Sequence, residues 1–212
     1  MLSGRSINFL LRMKTKPALF IDFNGTLCHD TFWRSLESEL RKKVARYIFD
    51  ANKEITDDWM RGMFTSEDIH QKLVKDLNID HEFLWNVFVE DCRTMFIEKS
   101  MLERVAKLRD MYTVVLATDN MDCFDRFTVP TLGLRAHFDR IVNSYNEKML
   151  KNDNGGELFL NVAARVGSPL SEGFLIDDSV KTCETFQNLG GKSFLVTAEK
   201  PLSHWLDLLT ST

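Results

Sequence analysis

Residues 18–28 read ALFIDFNGTLC. Ala18, Leu19, Phe20 and Ile21 are apolar at every position rather than at every second one, the pattern of a short strand buried on both faces. The run closes on an acid, Asp22, and breaks two residues later at Asn24-Gly25, where Gly25 permits a sharp turn and Thr26 is placed to cap it. A strand buried on both faces needs parallel neighbours. Four further runs of strand length supply them: TVVLA (113–117), DRIVN (139–143), GFLID (173–177) and KSFLV (192–196).

From the second run onward, strands alternate with helical patterns. Ser100 and Glu103 have the spacing of a capping box ahead of Leu102, Val105 and Leu108. Phe159, Val162, Ala163 and Val166 form an apolar stripe that stops at Gly167, and Ser179 to Leu189 forms another that stops at Gly190. Alternation of this kind predicts βαβ units, hence an α/β fold with a Rossmann-like parallel sheet. Roughly ninety residues without a strand-like run separate the first strand from the second, too many for one crossover helix, and predict a helical insert. Its stripes are Trp33, Leu36, Leu40, Val44 and Tyr47, with Glu37 to Arg41 and Glu39 to Lys43 as outward ion pairs. Thr65 is placed to cap a helix through Ile69 and Leu73, and Asp80 one bearing Leu84, Val87, Phe88, Cys92 and Met95. The expected organisation is an N-terminal extension (1–16), a core from 17–27 and 101–212, and the helical insert at 28–100.

With 212 residues, 44% of them hydrophobic and 27% charged, the chain is long enough for a full core without a disulfide or metal staple. A net charge of −4 and a pI near 5.8 offer no basic field for nucleic acid or anionic lipid, so a small molecule is the expected partner. Cys28, Cys92, Cys123 and Cys183 show no metal-ligand spacing and read as reduced thiols of a cytoplasmic protein. No run reaches the ~20 apolar residues of a membrane span. The opening MLSGRSINFLLRMKTK, basic through Arg5, Arg12, Lys14 and Lys16, reads as an extension, with an organelle leader as the alternative.

Ligands of open parallel sheets bind beyond the carboxyl ends of the strands. Those ends carry Asp22, Thr118, Asp177 and Asp178. Three carboxylates on one edge repel one another unless a cation lies among them, which outlines a magnesium site.

These motifs, in this order, resemble those of the haloacid dehalogenase (HAD) superfamily, in its phosphatase branch with a helical cap inserted after the first motif. FIDFNGTL resembles the first motif, VVLATDN the second and FLIDDS the acidic fourth. The third is a lysine: Lys151 follows Ser144 by seven residues and precedes Phe159, with Lys148 as the alternative. The resemblance implies that Asp22 is the nucleophile and becomes an aspartyl phosphate, and that Lys151 orients it. It implies Mg2+ held by Asp22, the backbone carbonyl of Asn24 and Asp178, with Asp177 farther out. Thr118, Asp119, Gly25 and Lys151 would bind the phosphoryl group of a small phosphorylated metabolite.

Asn24 departs from the pattern. The family's phosphatases carry there an acid that protonates the leaving oxygen and then activates water, and an amide exchanges no protons in this way. Loss of general acid–base catalysis is typically worth ~10²–10⁴ in rate, or roughly 3–5.5 kcal/mol, while metal and lysine stabilisation remain. The reading adopted is a slow phosphatase that favours acidic leaving groups, such as aryl or acyl phosphates. The alternatives are a phosphate-binding or regulatory protein without turnover, and a metal-independent haloacid dehalogenase, whose family members also lack the second acid. Asn24-Gly25 is in addition a sequence prone to deamidation, which would restore the acid. His29 and Asp30, Cys28, the DDWMRGMF patch (57–64) and Asn120, one residue past the usual phosphate contact, are candidates with structural explanations of their own.

Overall fold

The computed structural model describes residues 16–211; the basic opening segment lies outside them but for Lys16. All five apolar runs form strands: β1 (Ala18–Ile21), β2 (Thr113–Thr118), β3 (Arg140–Asn143), β4 (Phe174–Asp177) and β5 (Lys192–Leu195). They make one parallel sheet in the order β3-β2-β1-β4-β5. Strand order reverses at β1, so the crevice at the sheet's carboxyl edge opens between β1 and β4.

Alternation along β1 divides the core. Leu19 and Ile21 face a cluster with Leu102, Val105 and Leu108 of α5 (Lys99–Leu108) and Leu202, Leu206 and Leu209 of α10 (Leu202–Thr210). Ala18 and Phe20 face α8 (Glu157–Val166) and α9 (Val180–Asn188). There Phe20 meets Phe159 and Phe186 edge-on, with centroids 5.4 and 5.5 Å away. α8 ends on Gly167 in the left-handed conformation, and α9 is capped by the Ser179 hydroxyl, as the stripes predict.

Between β1 and β2 the chain is helical: α1 (Ser38–Ala45), running on into a π-helical turn (Arg46–Ala51), α2 (Lys53–Met60), α3 (Ser66–Leu77) and α4 (His81–Arg93). Trp33, Trp59, Ile69, Leu73, Leu84 and Phe88 anchor the core of these helices. Thr65 and Asp68 form a complete capping box, and Asp80 caps α4 through Phe83 N at 2.8 Å. Three local expectations are corrected. Trp33 and Leu36 precede α1: Trp33 sits at φ 56 in a turn and stacks on Phe88, because burying the indole outweighs the backbone cost. Glu37 caps α1 through Glu39 N and Leu40 N instead of pairing with Arg41, and Glu39 pairs with Lys42 instead of Lys43. Ser100 lies inside the first turn of α5 and its hydroxyl bonds Glu98, the residue in the cap position, so no Ser100–Glu103 box forms.

Two short helical segments complete the fold, α6 (Val129–Thr131) in the crossover from β2 to β3 and α7 (Ser144–Glu147) directly after the carboxyl end of β3. No helix among the described residues is long and apolar enough to cross a membrane.

Candidate active site

The sheet delivers the predicted residues to one edge. Asp22 leaves β1 with its peptide N–H donating to Ile176 O at 3.0 Å, which brings it beside the end of β4 and hence beside Asp177 and Asp178. Each of these three acids has a carboxylate oxygen within 4.8 Å of the others'. The Lys151 ammonium lies 2.9 Å from Asp22 Oδ1 and 2.7 Å from Asp177 Oδ2. All three of those residues are buried, whereas Asp178 is exposed and opens the group to solvent. Asp177 uses its second oxygen to accept Ser179 N at 2.8 Å.

Lys151 is held by its backbone as well. Its N–H donates to Asp119 Oδ1 at 2.8 Å, and Asp153 accepts Leu150 N at 2.9 Å while Arg61 pairs with both Asp153 oxygens at 2.8 and 2.9 Å. One carboxylate oxygen of Asp119 is therefore committed to positioning the lysine. Lys148 is elsewhere, donating to Gly62 O at 3.2 Å and lying over the Tyr145 ring.

Burial dominates the electrostatics. It raises the Asp22 carboxyl to about 7, against the pull of Lys151 and with a further push from Asp177. Asp119 and Asp178 are raised by burial too. Burial opposes the charge on Lys151, but Asp22, Asp177 and Asp119 more than offset it, and the ammonium is held above its ordinary range. Three carboxylates facing one ammonium leave excess negative charge, which hard divalent cations with oxygen ligands neutralise. Two further features fit such an ion with a bound oxyanion. Gly25, at φ +78, has no Cβ, and one placed there would lie 2.1 Å from Asp178 Oδ2. The Thr118 hydroxyl at the end of β2 is buried without a hydrogen-bond partner. Thr26 does not cap its turn: its hydroxyl too is buried and unpartnered.

Asn24 is half-buried, and its Oδ1 accepts from Asn120 Nδ2 at 2.8 Å. This contact was not foreseen, and its only sequence signal is that Asn120 follows the β2 strand end closely. Gly25 N, the group that would attack the Asn24 amide in deamidation, is occupied by Cys28 O at 2.8 Å. The other candidates are structural. Asp30 accepts Phe96 N at 2.7 Å, and Cys28 is packed with its thiol pushed up to about 11 by burial. His29 is exposed. In the DDWMRGMF patch, Trp59 donates to buried Asp122, Met60 O accepts from Ser144, and Arg61 binds Asp153, so the patch seats the helical segment on the α/β core.

A five-stranded parallel sheet in this order, flanked by helices on both faces and carrying a helical insert after β1, is the HAD-like fold. Among solved structures it is shared with a HAD family enzyme from Bacteroides thetaiotaomicron solved with magnesium and inorganic phosphate (TM-score 0.68, 22% identity, 90% of this chain and 98% of that one). It is shared also with a HAD-like family hydrolase from Porphyromonas gingivalis (TM-score 0.67, 18% identity, 93% and 97%). A 2-haloacid dehalogenase from Pseudomonas syringae pv. Tomato DC3000 has the same fold (TM-score 0.65, 13% identity, 92% and 99%). No protein-family model and no curated protein matches the sequence.

Proposed function

We propose that the chain is a HAD-like hydrolase, a magnesium-dependent phosphatase of small phosphorylated metabolites that works through an aspartyl phosphate on Asp22 and is slowed by Asn24. The observation that carries this reading is the Lys151 ammonium lodged between Asp22 and Asp177, with Asp178 beside them. The unpartnered Thr118 hydroxyl on the same sheet edge supports it.

Asp22, Asp178 and the backbone carbonyl of Asn24 would hold Mg2+, with Asp177 tied to Lys151 behind them. When bound, the ion neutralises charge on the phosphoryl oxygens. Asp22 attacks phosphorus: an Asp22 O–P bond forms, the ester P–O bond breaks, and the departing oxygen leaves as an anion that takes its proton from solvent. Water then attacks phosphorus, the Asp22 O–P bond breaks, and the carboxylate is restored. Lys151 orients Asp22 and favours its ionised form, and Thr118 donates its hydroxyl to a phosphoryl oxygen. Phosphoryl transfer is mostly positioning and charge neutralisation, so the missing acid costs rate and leaves binding in place.

Asn24 itself favours a second reading, a phosphate-binding protein without turnover. A screen of phosphate esters with and without magnesium, on native protein, Asp22→Asn and Asn24→Asp, decides. Turnover that needs magnesium and Asp22 supports the phosphatase, and phosphate binding without turnover selects the second reading. Metal-free chloride release from haloacids overturns both.

A further inference from the structure

Asn24 and Asn120 fix each other's orientation. The peptide N–H of Met121 can only donate, and it donates to Asn120 Oδ1 at 2.9 Å. The far end of Asn120 is therefore its NH2, which donates to Asn24 at 2.8 Å, so the Asn24 amide must turn its oxygen, the side chain's acceptor, to meet it. One backbone N–H thus sets two side-chain amides in series. The end of Asn24 left over is its NH2, which has no hydrogen-bond partner among the described residues. Asn120 is 1% exposed, so water does not compete for these bonds. Its own N–H donates to Ser144 Oγ at 3.0 Å, and Ser144 donates to Met60 O at 2.8 Å.

We propose that Asn120 is a positioning residue that presents the Asn24 NH2 to the leaving oxygen of the ester, as a hydrogen-bond donor that never gives up its proton. The inference rests on the phosphatase reading above and deepens it. A donor of this kind stabilises an oxygen that departs as an anion and does nothing for one that must be protonated to leave. It therefore selects acidic leaving groups. In the opposite orientation Asn24 would turn a carbonyl oxygen toward the departing anion and repel it.

Asn120→Asp tests this directly. Aspartate keeps the acceptor for Met121 N–H but sets a second acceptor against Asn24, which reverses the Asn24 amide. Asn120→Ala merely releases it. On a series of aryl phosphates of rising leaving-group pKa, with magnesium, Asn120→Asp should lower kcat by about 10²-fold, the loss typical of removing one preorganised donor. KM should change little, and Asn120→Ala should lose less. Asn24→Ala combined with Asn120→Asp should be no slower than Asn24→Ala alone; additive losses overturn the proposal.

The second readout is the side-chain amide NMR signal of Asn24, assigned by its disappearance in Asn24→Ala. In ligand-free protein Asn120→Asp should shift that signal, and inorganic phosphate with magnesium should shift it in native protein alone. An Asn24 signal indifferent to Asn120→Asp, or one that phosphate shifts equally in both proteins, sinks the proposal whatever the kinetics. If native protein neither hydrolyses esters nor binds phosphate, the phosphatase reading and the leaving-oxygen role fall together, and the ligand-free spectrum still decides the Asn24 orientation.

Discussion

Asp22→Asn should stabilise the metal-free protein above neutral pH while abolishing turnover. Asp22 is 5% exposed, and burial, opposed by Lys151 and aided by Asp177, raises its pKa from 3.8 to about 7. Carrying this group ionised therefore costs the fold about 4 kcal/mol, at 1.36 kcal/mol per unit of pKa. Asparagine keeps the shape and removes the charge. It forfeits the contact with Lys151 at 2.9 Å, but Asp177 continues to neutralise that lysine at 2.7 Å. The net gain at pH 8 should be about 2–4 kcal/mol, or about 4–16 °C in Tm for a chain of this length. The sign follows from proton linkage. Between about pH 4 and 7 the folded carboxyl binds more protons than the unfolded one, so its contribution to stability falls as pH rises through that window. The advantage of Asp22→Asn should thus be absent at pH 4 and complete above pH 7. Thermal unfolding of both proteins from pH 4 to 8 in a chelator measures it. Repeating the series with magnesium should narrow the gap, because the ion stabilises the native site in proportion to its occupancy. A variant no more stable than native at pH 8 without metal, or an advantage independent of pH, would refute the reasoning.

Gly25→Ala forces a Cβ into Asp178 and should lower magnesium affinity roughly 10–100-fold, read by calorimetry, at a backbone cost of about 1–2 kcal/mol. Thr118→Val removes a buried hydroxyl that bonds nothing in the protein, so Tm should hold or rise. Phosphate affinity should nonetheless fall by roughly 1.5–3 kcal/mol, the worth of a hydrogen bond to a charged group. Asn24→Asp should raise kcat on alkyl phosphates by on the order of 10²–10⁴ and on aryl phosphates by much less; equal gains on both classes would contradict the leaving-group account. Aged native protein should keep its intact mass, since Gly25 N and the Asn24 amide are both held in hydrogen bonds, whereas unfolded protein should deamidate.

The strands were legible because a short, fully apolar run between helical patterns has few uses other than a buried parallel strand, and all five runs became members of one sheet. The acids were legible for the same reason: in a parallel sheet a strand's last residue has a known address. What the sequence hid is whatever depends on groups remote along the chain. Arg61 and Asp153 lie 92 residues apart, and no local pattern marks them as partners. Asn120 looked like a displaced phosphate contact because the reach of its amide to Asn24 depends on how β2 and β1 lie side by side. Trp33 misled through periodicity alone, since a buried aromatic in a turn can share the spacing of the helix that follows. Spacing from Ser144 and Phe159 favoured Lys151 in sequence but left Lys148 as an alternative; the loop geometry, with Lys148 at φ 60 over Tyr145, brings Lys151 and not Lys148 beside Asp22.

The position of β1 has a consequence for biosynthesis. Ala18–Ile21 is synthesised before the other four strands, yet it is the central strand and needs β2 on one side and β4 on the other. About 155 residues separate Ile21 from Asp177, so at 5–20 residues per second the nascent strand waits about 10–30 s for its second neighbour. The helices encoded directly after it can pack on one another in the meantime, through Trp59, Leu73 and Phe88. Until β2 is made ALFI is a fully apolar segment with both edges unpaired, and until β4 follows one edge stays open, so shielding by a chaperone should raise the yield of folded chain most when translation is slow.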